Sequence, residues 1–150
     1  MKLVVIESPY GTNPDGSPAS PEIIERNTLY LCACIDDCLR RDEAPFASHG
    51  MYTLRGILDD SDLEERRRGM LAGWAWQERA DLVVCYVDLG ITSGMRDGCA
   101  HALNIGKRIE HRELGGRWMC NKADVIACPH TPKHLGTEWC PARQQPEGRQ

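Results

Sequence analysis

The chain has 150 residues, 41% of them hydrophobic and 27% charged, with a formal net charge of −4. That composition fits one globular domain large enough for a real core and excludes a disordered chain. The mild acidic balance gives no electrostatic reason to bind a nucleic acid polymer or an anionic membrane, and no run approaches the roughly 20 apolar residues of a membrane span.

The chain opens Met-Lys-Leu-Val-Val-Ile-Glu. Its apolar run is too short for a secretory signal, so a cytoplasmic protein is expected. Leu3 to Ile6 reads as a strand buried on both faces, being aliphatic and mostly β-branched. Ser8 to Pro21 holds four prolines and two glycines in fourteen residues, which makes a long loop of the kind that often carries function. Ser20-Pro21 supplies a hydroxyl cap and a proline at the first helical position. Ile24, Thr28, Leu31, Ile35 and Cys38 then recur at helical spacing, and the helix is expected to run to about Arg41.

Glu43 to Ser48 is expected to form a second strand, closing on His49-Gly50. Ser61-Asp62-Leu63-Glu64 has the form of a capping box, so a second helix starts near Asp62. Leu63, Met70, Leu71 and Trp74 would give that helix its apolar stripe. Gly69 and Gly73 would let it approach a neighbour closely. Arg66, Arg67 and Arg68 lie beside Asp62, Glu64 and Glu65 and read as a solvated face.

Leu82 to Val87 is a third strand. Ser93 to Ile105 is a third helix with Gly106 as its stop, and Arg108 to Glu113 is a fourth strand. This alternation predicts an α/β fold, a flavodoxin-like or Rossmann-like three-layer domain on a four- to five-stranded parallel sheet. The domain should span residues 1–114. Residues 115–150 form a Cys/His-containing extension whose last ten or so residues are expected to be flexible.

Ligands of open parallel sheets sit at the carboxyl ends of the strands. Here those ends carry Glu7, Ser8, Pro9 and Tyr10, then His49 and Tyr52, then Asp88. The turn Ser93-Gly94-Met95 follows. Carboxylates, an imidazole, hydroxyls and phenols in one crevice suit a sugar and a base. The N–H groups opening the third helix suit an anion such as a phosphate. No dinucleotide fingerprint and no P-loop occur.

The stretches Val5–Tyr10, Glu25-Arg26-Asn27, Ala44–His49, Ala80–Asp88 and Ser93-Gly94-Met95 through Ile109 together resemble the nucleoside 2-deoxyribosyltransferase-like superfamily, and within it the small phage- and actinobacterial-type members. The resemblance covers about residues 1–114. It implies a base-plus-sugar pocket to which Asn27 contributes, and a homo-oligomer, for which Trp76 and Trp118 would suit an interface. In active members a Glu on the helix after the Ser-Gly turn attacks the anomeric carbon and an Asp assists the leaving base, and no cofactor is implied. Laying Ser93-Gly94-Met95 on the family's Ser-Gly-Thr puts Gly98 at the nucleophile's position. Either Asp97 or Glu7 then supplies the carboxylate, with Asp88 as the pocket Asp, or the transferase chemistry is absent. Two functions follow as alternatives. One is an enzyme acting on an N-glycosidic bond, as deoxyribosyltransferase or hydrolase. The other is a protein that binds a nucleotide without cleaving it.

Eight cysteines in a reducing compartment do not suggest a disulfide framework. Cys32, Cys34, Cys38, Cys85 and Cys99 fall in apolar segments and read as small buried hydrophobes. Cys120, Cys128, His130, His134 and Cys140 are clustered, and four of them could hold a structural zinc in the extension.

Overall fold

The computed structural model describes residues 1–120. Four strands, β1 (Lys2–Glu7), β2 (Glu43–Phe46), β3 (Leu82–Tyr86) and β4 (Arg108–Arg112), form one parallel sheet in the order β2-β1-β3-β4. Helix α1 (Pro21–Arg40) follows β1. A single turn, α2 (Ser48–Met51), and then α3 (Leu63–Arg79) connect β2 to β3, and α4 (Ser93–Asn104) connects β3 to β4. The expected flavodoxin-like α/β fold is the observed one.

Alternation along the strands sorts the core into two layers. Val4, Ile6, Leu82, Val84 and Tyr86 face Tyr30, Leu31, Cys34 and Cys38 of α1. Val5 and Val83 face the other way and pack with Ala102 of α4. Strand order reverses between β1 and β3, so a crevice opens above their carboxyl ends.

Local chemistry sets the helix starts. Ser20 Oγ accepts from the Ile23 N–H and Pro21 opens α1. Asp62, not Ser61, caps α3: its carboxylate takes the N–H groups of Glu64 and Glu65, while Ser61 hydrogen-bonds Asp59. Thr92, not Ser93, caps α4. Gly106 has φ +72°, the left-handed stop expected of it.

The apolar stripe expected on α3 is not its inward face. Leu63 is 81% exposed and Leu71 46%, and α3 instead buries Gly73 and Gln77. The reason is close approach: a Cβ on Gly73 would lie 2.8 Å from Ser48 Oγ, so α3 rests on the α2 turn through a residue without a side chain. Ser48 belongs to that turn rather than to β2, which ends at Phe46. Cys34, Cys38 and Cys85 are buried as expected, but Cys32 and Cys99 are only partly so. Trp118 packs edge-on against Tyr30 instead of standing free, while Trp76 is half-exposed beside Phe46.

One buried ion cluster crosses the α1 face. Arg112 donates to both oxygens of Glu43, at 2.7 and 2.8 Å, and to Glu110 at 2.7 Å. The side chains of Arg112 and Glu43 are 8% and 9% exposed. The guanidinium thereby joins the two edge strands, and it holds the Glu43 and Glu110 carboxyls below the usual range.

Candidate functional site

A cleft of about 90 Å³ opens over the carboxyl end of β1. Glu7 and Ser8 form its floor, Tyr10 and Gly11 of the long loop one wall, and Ser48, His49 and Tyr52 another. Thr92, Gly94 and Met95 bring in the start of α4. It continues past Asp60 and Arg66 into a wider groove of about 830 Å³ between the long loop and residues 53–61.

Glu7 lies at the deep end. It is otherwise enclosed by protein, and burial together with the nearby Cys99 thiol pushes its carboxyl up to about 8, against the opposing hydrogen bond from Gln77. Gln77 Nε2 donates to Glu7 Oε1 at 2.8 Å. A Cβ built on Gly98 would meet Glu7 Oε1, lie 2.5 Å from its Cδ, and lie 2.8 Å from Oε2. The Glu7 carboxylate thus occupies the volume that any side chain at position 98 would need.

His49 Nε2 and Ser8 Oγ are hydrogen-bonded at 2.8 Å. Burial pushes the imidazole down to about 4, so at neutral pH it is uncharged and the pair is a neutral hydrogen-bonding surface. At the mouth, Arg66 Nη1 donates to Asp60 Oδ2 at 2.6 Å. Arg66 Nη2 lies 3.2 Å from where a Gly94 Cβ would stand. A guanidinium therefore faces the first turn of α4, where the helix dipole also favours an anion. Burial raises the Asp60 carboxyl, opposed by Arg66.

The family model that matches is described as Domain of unknown function (DUF7768), over residues 2–112. The chain belongs to this family. A search of curated proteins finds none that matches. The DUF7768 match runs from the first residue of β1 to the last of β4, so it holds every cleft residue named above. It ends before Cys120, Cys128, His130, His134 and Cys140. The last four of these lie outside the described residues, as does the expected zinc site.

Within the DUF7768 domain, Glu7, Ser8, Tyr10, His49, Tyr52, Gly94 and Met95 do converge on the cleft. Five other expected residues do not. Asp88 holds the chain after β4 instead: its carboxylate accepts from the N–H groups of Leu114 and Gly115 and from Tyr30 Oη at 2.5 Å. Asp97 sits on the exposed face of α4, because one residue before the inward Gly98 rotates a side chain by about 100°. Asn27 is buried and braces the long loop, donating to the Tyr10 carbonyl at 2.7 Å. Pro9 is packed away, and Ser93 gives its expected place to Thr92.

Arg66, expected on a solvated face, and Asp60 were not legible as site residues. One sits in a run of three arginines and the other in a loop, with no periodic signal. Arg67 and Arg68 are exposed as expected.

Asp88→Asn is expected to lower stability by about 1–3 kcal/mol in urea unfolding, since three donors lose a charged acceptor. Ligand retention in the cleft should be kept. Asp97→Asn should change stability by no more than about 0.5 kcal/mol and leave the cleft's behaviour untouched.

Proposed function

We propose that this cleft holds a nucleoside or nucleotide, and that the chain acts on its N-glycosidic bond as a deoxyribosyltransferase or an N-glycoside hydrolase. The observation that carries this reading is the position of Glu7. In the superfamily that the sequence resembles, the carboxylate comes from the α4 position held here by Gly98. Here the Glu7 carboxylate fills that same volume from β1. An ionised carboxylate at this point can trap or stabilise the oxocarbenium-like centre formed when the base leaves.

The surroundings support the same ligand class. Tyr10 and Tyr52 offer apolar faces and hydroxyls to a base. The neutral Ser8–His49 pair offers hydrogen bonds to a sugar without adding charge. Arg66 at the start of α4 suits a phosphate. The cleft is small, so a ligand of this size extends into the adjoining groove. Buried thiols at Cys34, Cys38 and Cys85 suit the reducing cytoplasm, where we place the reaction.

A second reading has its own support. With its carboxyl pushed up to about 8, Glu7 is mostly protonated near neutral pH and can donate a hydrogen bond to a base without attacking it. The chain would then bind a nucleotide and leave it whole.

The test is incubation of the purified chain with a panel of nucleosides, nucleotides and dinucleotides, with free base followed by chromatography. Release or exchange of base supports the first reading. Retention of one compound intact supports the second. Failure to retain or cleave any member of the panel removes both.

A further inference from the structure

Gln77 is fully buried, and every polar group of its amide is engaged. Its Nε2 donates to Glu7 Oε1 at 2.8 Å and to the Gly98 carbonyl at 3.2 Å. Its Oε1 is paired with His101 Nδ1 at 2.9 Å. The His101 ring lies flat on Trp74, with centroids 4.8 Å apart and planes 6° from parallel. A carbonyl can only accept, so the Gly98 oxygen dictates which end of the amide faces Glu7. Turning the amide over would set oxygen against oxygen at Gly98. Oε1 must then face His101, and His101 Nδ1 must carry a proton.

We propose that Gln77 is the positioning residue of Glu7, and that His101, clamped on Trp74, fixes the orientation of Gln77. Glu7 Oε1 is committed to the amide. Among the described residues Oε2 makes no hydrogen bond, so it is the oxygen that carries or releases the carboxyl proton and meets a ligand. The chain of contacts runs from α3 through its inward face to β1, with α4 contributing His101 and the Gly98 carbonyl. The part this plays in turnover rests on the N-glycosidic reading above; the positioning itself does not.

The other ionisable groups around Glu7 are Cys99 on α4, whose thiol disfavours its charged form, and Cys85 on β3, whose thiol Glu7 helps to push up. The neighbouring Ser8 is paired with the uncharged His49. Gln77 is the one group among these that favours the carboxylate form. Removing its N–H should therefore make Glu7 harder to ionise.

The test uses the full-length chain and needs no ligand. The Glu7 side-chain carboxyl is followed by carbon NMR across pH in wild type, Gln77→Met, His101→Phe and His101→Asn. Wild type should titrate near 8. Gln77→Met should titrate higher, by about one pH unit. His101→Phe keeps the stack on Trp74 but loses the N–H, and should move in the same direction. His101→Asn restores a donor near the Nδ1 position and should return the midpoint to the wild-type value.

An unmoved midpoint in Gln77→Met overturns the proposal. So does a His101→Phe midpoint equal to that of His101→Asn, a comparison that serves also if Gln77→Met fails to fold. Where base release is observed, Gln77→Met should lower kcat with KM little changed and shift the pH profile with the carboxyl. A moved midpoint in a chain that releases no base would uphold the positioning role and reject the N-glycosidic reading.

Discussion

Glu7→Gln is expected to reduce base release by about a thousandfold or more while the ligand is still retained, because the amide keeps the shape but cannot trap a cationic sugar. Product formation and equilibrium binding measured side by side would check this. Undiminished release would remove Glu7 from the chemistry. The pH dependence carries a separate signature. With the carboxyl pushed up to about 8, only about a tenth is ionised at pH 7. If the carboxylate is the reacting form, the wild-type rate should rise nearly tenfold from pH 6 to 7 and level off above 8. A rate that falls through the same range would make Glu7 a proton donor.

The same substitution should stabilise the fold in alkali. Between the ordinary 4.5 and about 8, folded Glu7 holds a proton that the unfolded chain has lost. Stability therefore falls as pH rises through that window. Glu7→Gln escapes this cost and should unfold at higher urea than wild type at pH 9. The gain is on the order of 2–4 kcal/mol, discounted because Glu7 keeps some exposure to the cleft, and it should shrink toward pH 4.5. His49 works in the opposite sense. Its folded value of about 4 lies below the ordinary 6.5, so the unfolded chain binds the extra proton and stability falls as pH drops through that interval. Between 4.5 and 6.5 the two slopes oppose each other. Glu7 and His49 by themselves would then give a plateau of stability there, with a decline from about 6.5 to 8.

The second large effect is expected at Arg112. Arg112→Met leaves the buried Glu43 carboxylate without its two hydrogen bonds and should cost about 3–5 kcal/mol, read as a lower urea midpoint. Removing the stranded charge as well, in Arg112→Met with Glu43→Leu, should recover much of the loss. In wild type, Arg112 keeps Glu43 and Glu110 below the usual carboxylate range, so this contribution is present above 4.5 and is lost as pH falls through their lower folded values. The acid limb should therefore flatten in the double variant. An acid limb unchanged from wild type would show that these pairs do not govern it.

The fold was legible because aliphatic runs and helical spacing report burial directly, and each strand and long helix lies within a residue or two of its expected span. The cleft was legible only where a residue sits at a strand end. Three kinds of residue escaped. Asp60 and Arg66 come from a loop and a charged helix face, where no period marks orientation. Gln77 reads as an ordinary polar helix position; only the glycine at 73 hinted that this side of α3 is pressed inward. Asp88 looked like a ligand group because it ends a strand. Backbone N–H groups just past β4 take its carboxylate instead, and that pairing is invisible until the fourth strand is in place.

The Glu7 carboxylate and any side chain at position 98 compete for one volume. The two ways of delivering a carboxylate to this point, from the strand or from the helix, exclude each other in space. A chain with acids at both positions would be overfilled, and one with neither would have no carboxylate to offer. No single substitution converts one arrangement into the other without passing through one of those states. Gly98→Glu alone should therefore be disabling, whereas the same change combined with Glu7→Gly should be tolerated.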